Sequence, residues 1–159
     1  MEDWDGPFAG LRGNHVCVRV PDFEAGKRWW IETFDFVVIV EWSYADMRLC
    51  KIAPRLFPDV AIELAGGGEF DVDRRRRPID LADSLRTPGY CHFGFTVDDI
   101  AAAGAALEAK GVKFLAPPFL FETLSVKIGF FFDPWGNVFE LVEVPRPQSN
   151  GQPIDRPSL

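Results

Sequence analysis

Phe130–Glu143, FFFDPWGNVFELVE, is the stretch from which the fold can be read. Asp133, Pro134, Trp135, Gly136 and Asn137 are turn chemistry. Proline fixes φ, glycine and asparagine accept positive φ, and both flanks are rich in strand formers. The segment predicts a β-hairpin. In its second arm, alternation places Val138, Glu140 and Val142 on one face and Phe139 and Leu141 on the other. Glu140 is thus a carboxylate set into a strand that otherwise reads as core.

Working outward, Val60–Ala65 (VAIELA) places Glu63 in the same setting, at an offset of 140 − 63 = 77. The chain has 2 histidines, His15 in NHVCVRV and His92 in CHFGFTV, and 92 − 15 is again 77. The helical patterns between them agree. Phe23, Gly26 and Trp30, moved by the same offset, fall on Ile100, Ala103 and Leu107, the apolar stripe of a second helix. The sequence reads as a repeat of about half its length.

Each half predicts the order β-α-β-β-β. In the first, a strand over Asn14–Val20 carries His15, Cys17 and Arg19 on one face and three valines on the other. Asp22 caps a helix over 23–33, and strands follow near 36–42, 47–53 and 59–65. In the second, a strand over 90–97 leads to a helix capped by Asp98 or Asp99 and stopped by Gly111. Strands near 112–115, 126–132 and 138–143 follow, and Pro117 and Pro118 predict a Phe-rich loop over 116–124. This gives an α+β domain over 13–144 with modules 13–66 and 90–144. Residues 67–89 form a long connection with a short helical turn near 79–84, and a proline-rich extended tail covers 145–159.

A chain of 159 residues that is 47% hydrophobic can bury one ordinary core, and 15 Phe with 5 Trp leave aromatic surface for a pocket or an interface. The net charge of −7 argues against general binding to nucleic acid or anionic membrane, and Arg74–Arg77, the one basic cluster, reads as a solvated loop. No window approaches the roughly 20 apolar residues of a membrane span. The opening MEDWDGPFAG is acidic where a signal peptide would be basic and then apolar, so the expected location is cytoplasmic. Cys17, Cys50 and Cys91 lack CxxC spacing and imply a reducing compartment with no disulfide framework.

Each half alone is a sheet covered on one side by one helix, so its other face needs a partner. His15, Glu63, His92 and Glu140 all fall on that other face. A lone strand histidine is ordinarily a satisfied core or surface residue; the shared offset of both histidines and both glutamates sets these four apart. Two imidazoles and two carboxylates suit an octahedral divalent cation (Zn, Ni, Co or Mn, with Fe less favoured) with positions left for water or substrate. Such a cation would also remove the cost of placing ionisable groups in a cavity. Cys17 shares the His15 face and is a candidate cavity residue, and Thr96, four residues beyond His92, is a candidate substrate contact.

His15 within HVCVRV, Glu63 within AIELA, His92 within GYCHFGFTVDD and Glu140 within DPWGNVFELVE together resemble the vicinal oxygen chelate superfamily over residues 13 to 144. The superfamily includes glyoxalase I, extradiol dioxygenases, epimerases and metal-free bleomycin-binding proteins. The resemblance implies paired βαβββ modules forming a concave mixed sheet around a metal, commonly completed by a second chain, hence a homodimer. Glyoxalase I is nearest in ligand pattern, since it uses His, Glu, His and Glu at these positions. Arg19, four residues after His15, matches an arginine that contacts glutathione there. Gly67 stands where glutathione users have asparagine, and the 66–89 connection is longer than a minimal glyoxalase has, so the resemblance leaves open whether glutathione is the co-substrate.

The implied activity is isomerase or lyase chemistry on a small carbonyl compound with vicinal oxygens, through an enediolate. Glu140 is the expected base, with Glu63 its partner. An alternative is a non-haem Fe(II) dioxygenase of an aromatic substrate built on His15, His92 and Glu140, although no further histidine is at hand for proton transfer. A third reading is a binding or resistance protein that sequesters a small molecule without chemistry.

Overall fold

The computed structural model describes residues 13–69, 77–86 and 88–144. The expected N-terminal arm, the arginines at 74–76 and the proline-rich tail lie outside them. The chain divides into two compact units, the second beginning at Arg77.

The first unit runs β1 (His15–Val20), α1 (Phe23–Phe34), β2 (Phe36–Tyr44), β3 (Met47–Pro54) and β4 (Ala61–Gly67). Its sheet has the order β1-β4-β3-β2, with β1 parallel to β4 and the other pairs antiparallel. Asp22 starts α1 by accepting from the Ala25 N–H at 2.9 Å, which satisfies one of the free donors of a helix N-terminus. Asp35 ends it in the left-handed region at φ 55, its N–H bonded to the Ile31 carbonyl. Val18, Val20, Ile52, Ile62 and Leu64 are buried, as are Phe23 and Trp30 of α1. Each such side chain contributes about 1.5–3 kcal/mol by leaving water. Trp30 stacks on both Phe34 and Phe36, at ring distances of 5.0 and 5.5 Å, and those two rings meet each other at 5.7 Å.

The second unit adds a short helix, α2 (Leu81–Ser84), and then repeats the plan as β5 (Phe93–Thr96), α3 (Ile100–Ala109), β6 (Phe114–Phe121), β7 (Val126–Phe132) and β8 (Val138–Glu143). The order β5-β8-β7-β6, with β5 parallel to β8, matches the first sheet strand for strand. Asp99 is the cap of α3, accepting from the Ala102 N–H at 3.0 Å. On the helix side Phe95, Phe139 and Phe131 form a stack with ring distances of 6.2 and 5.6 Å. The two four-stranded mixed sheets, each with its helix, define the α+β vicinal oxygen chelate fold.

Three details differ from the sequence expectation. The strand expected over 90–97 is confined to Phe93–Thr96. Its first pair is Phe93 with Phe139, so His92 lies one residue before the paired ladder. The loop expected over 116–124 is mostly strand: β6 carries Pro117 and Pro118 with register shifts on either side of Ala116, and a 3₁₀ turn over Glu122–Leu124 follows. Proline is tolerated there because β6 is an edge strand. Finally, α3 buries Gly104 in place of the expected Ala103. A Cβ at Gly104 would stand 3.0 Å from Pro118 Cγ, so the missing side chain is what lets the proline-bearing strand approach.

Candidate functional site

In the first unit, β1 and β4 lie side by side with Cys17 opposite Glu63, and β3 places Lys51 opposite Glu63 from the other flank. Paired residues share a face, and His15 lies two residues before Cys17, so His15, Cys17, Lys51 and Glu63 occupy the side of the sheet away from the buried valines. His15 Nε2 stands 3.6 Å from Glu63 Oε2. The Cys17 thiol, on the exposed side of β1, is pushed above its ordinary value by burial, then by the charge and hydrogen bonding of Glu63, against the opposing Arg19.

The second unit repeats this pairing. Glu140 on β8 lies opposite Gly94 of β5 and Phe130 of β7. Gly94 makes room for the carboxylate, since a Cβ there would be 3.1 Å from Glu140 Oε2. His92 Nε2 is 3.4 Å from the same oxygen, and the His92 ring meets Phe130 edge-on at 5.1 Å. The surroundings are apolar: Ile128, Phe130 and Val138 form a buried cluster that Leu81, Phe132 and Val142 extend. Burial raises the pKa of Glu140, and the neighbouring His92 acts in the opposite direction. Thr96 is exposed on the same face, one pair further along, opposite Val142.

Of the residues singled out by sequence, the structure joins His15 to Glu63 and His92 to Glu140. Among the described residues no three His, Cys, Asp or Glu side chains form a group that could hold a metal ion. Arg19 is engaged with backbone: its guanidinium donates to the carbonyls of Val20, Ala65, Gly67 and Glu69, and so shapes the end of β4. Sequence reasoning missed Asn14 and Lys51, which meet at the His15 ring. Neither belongs to the repeat, since the equivalents of positions 14 and 51 at the 77-residue offset are Cys91 and Ile128. Among the described residues no helix is long and apolar enough to cross a membrane.

The fold and the two His–Glu pairs define a class, that of paired βαβββ proteins with ionisable groups on the helix-free faces. The profile of the Glyoxalase/Bleomycin resistance protein/Dioxygenase superfamily matches residues 12–141, and the chain belongs to that family. A lactoylglutathione lyase of Schizosaccharomyces pombe is 27% identical over 143 residues, which are 81% of this chain and 46% of the relative, so the chain spans about half that protein's length. Among solved structures, a glyoxalase I variant from Zea mays superposes with a TM-score of 0.64 at 22% identity, covering 82% of this chain and 44% of that one. TnmS3, an antibiotic binding protein from Streptomyces sp. CB03234, superposes with a TM-score of 0.60 at 22% identity, covering 84% and 95%. At these identities the superpositions speak for the fold.

Proposed function

We propose that this protein is a metal-dependent, glyoxalase-like isomerase or lyase acting on a small carbonyl compound with vicinal oxygens. The observation that carries the reading is the occurrence of one His–Glu pair at the same place in each unit. The donor spacing fits a divalent cation: two cis ligands on an octahedral ion with bonds of about 2.1 Å lie about 3 Å apart. The pairs, at 3.6 and 3.4 Å, need to close by only about half an ångström to meet that spacing. Together His15, Glu63, His92 and Glu140 supply two nitrogens and two oxygens, a set suited to Zn, Ni, Co or Mn. We take the working form to be a homodimer, located in the cytoplasm, where the free thiols of Cys17, Cys50 and Cys91 persist.

When bound, the cation would act as a Lewis acid toward the two substrate oxygens. The remaining chemistry belongs to the chain. Glu140 takes the proton from the carbon beside the carbonyl and returns it to the adjacent carbon, an isomerisation with no net change in atoms. Its apolar setting suits that task, because burial moves a carboxylate toward the basicity that proton transfer near neutral pH requires. Phe130, Val138 and Val142 keep water from the transferred proton, and Glu63 is the second carboxylate of the proposed ligand set. Thr96 and Cys17 offer hydroxyl and thiol contacts to its polar groups.

The test is turnover of 2-oxoaldehyde–thiol adducts by protein reconstituted with each of the four metals. Metal-dependent turnover that falls about 100-fold or more in Glu140→Gln supports the reading. Full turnover in that variant would remove Glu140 from the role of base.

A further inference from the structure

We propose that Asn14, held by Lys51, sets the tautomer of His15 and thereby presents the lone pair of His15 Nε2 toward Glu63. The proposal rests on the reading of His15 as a metal ligand. Asn14 Oδ1 lies 2.9 Å from Lys51 Nζ and 2.6 Å from His15 Nδ1. An ammonium group can only donate, so the amide atom that faces it must be the oxygen and not the nitrogen. That same oxygen faces His15 Nδ1. An acceptor at this distance is satisfied only by an N–H, so neutral His15 carries its proton on Nδ1, and Nε2 is left as the bare nitrogen.

The bare nitrogen is the one that lies 3.6 Å from Glu63 Oε2, too far for a hydrogen bond. Two electron-rich atoms facing one another at that distance form an arrangement that a cation between them completes. The support is built into the sheet. The Asn14 backbone carbonyl accepts from the Ala61 N–H at 2.9 Å, which carries the β1–β4 pairing one residue past His15. Lys51 projects from β3 opposite Glu63 and so reaches Asn14 along the same face. The second unit has no equivalent: His92 Nδ1 is buried without a hydrogen-bond partner among the described residues. Asn14 and Lys51 are therefore positioning residues particular to the first half-site. Removing the acceptor that fixes ring orientation and tautomer of a ligating imidazole in this way commonly changes metal affinity about 10–100-fold.

The experiment uses the full chain labelled with ¹⁵N. Long-range proton–nitrogen correlations of the imidazole rings are recorded without metal at pH 8, and a His92→Gln variant assigns the two rings. Expected is a His15 signal with the proton on Nδ1, lost toward the Nε2–H form in Asn14→Ala and retained in Asn14→Asp. Zn(II) affinity, measured by competition with a chromophoric chelator, should fall about 10–100-fold in Asn14→Ala and recover in Asn14→Asp. A proton on Nε2 of His15 in the unsubstituted protein, or a tautomer indifferent to Asn14, overturns the proposal. So does unchanged Zn(II) affinity in Asn14→Ala. An Nδ1–H tautomer in a protein that binds none of the metals would leave the tautomer assignment standing and overturn the metal-dependent function.

Discussion

Replacing Gly66 by alanine tests the packing that brings β4, and with it Glu63, against the start of α1. A Cβ at Gly66 would stand 2.5 Å from Phe23 Cα and 2.7 Å from both its Cβ and its backbone nitrogen. Carbon atoms in contact prefer about 3.5–4.0 Å, so strand and helix would have to separate by about 1 Å. The obstructing atoms are mostly backbone, and that backbone is tied down: the Asp22 cap holds the first turn of α1, and Gly67 donates to the Pro21 carbonyl. Overpacking that side chains can absorb costs about 1–3 kcal/mol, and here the upper end applies. The lower entropy of an alanine-containing unfolded chain returns about 0.4–1 kcal/mol, which leaves a net loss of about 2–2.6 kcal/mol. For a chain of this size that is about 5–10 °C in Tm. Urea unfolding followed by tryptophan fluorescence reads the effect, with Trp29, Trp30 and Trp42 weighting the signal to the first unit. Gly13→Ala, whose Cβ would meet Val60 at an ordinary 3.4 Å, is the control and should change little. A Gly66→Ala protein within about 0.5 kcal/mol of the parent would refute this packing.

Other perturbations follow from particular contacts. Asp133 is buried and accepts from the Trp135 and Asn137 backbone N–H groups and from Asn137 Nδ2, so Asp133→Ala should destabilise by about 2–3 kcal/mol in the same unfolding assay. Glu143 accepts from the Ile100 N–H at the start of α3 and from Lys127 Nζ, and these partners hold its carboxyl below the usual range, Lys127 most of all. A lowered folded-state pKa stabilises above the unfolded value of about 4.3 and is lost as pH falls through the folded one. Glu143→Gln should therefore be less stable than the parent at pH 7, and the two should converge once the pH has fallen through the lowered folded-state value. Burial pushes the Cys50 thiol up to about 11, so at pH 8 a thiol reagent should modify exposed Cys17 and leave Cys50 untouched until urea is added. Mass spectrometry of the labelled peptides decides between them.

The features legible in the sequence were those with a local or periodic signature. Asp22 and the Asp98–Asp99 pair announced helix starts because a cap and its N–H partner lie three residues apart, and Asp99 is the one that caps. The repeat announced the two His–Glu pairs because histidine is rare in this chain and both copies kept one register. The passage of β6 through Pro117 and Pro118 was not legible, since it depends on Gly104 and Gly129, whose missing side chains admit Pro118 from distant elements. Gly66, read from sequence as the end of a module, is also the contact between strand and helix. The backbone contacts of Arg19 and the role of Asn14 were not legible for a related reason. Their partners, the Ala65 and Gly67 carbonyls and Lys51, are neighbours only once the sheet has formed.

The central proposal is that His15, Glu63, His92 and Glu140 are metal ligands. Elemental analysis of tag-free protein, alongside Glu63→Ala and Glu140→Ala, tests it most directly. The proposal predicts about one Ni, Zn, Co or Mn per chain in the parent and a large loss in both variants, because each removes one of the two proposed oxygen ligands. Iron retained without Glu63 would contradict it in favour of a two-histidine, one-carboxylate centre, and a parent protein free of metal would contradict it in favour of a binding module.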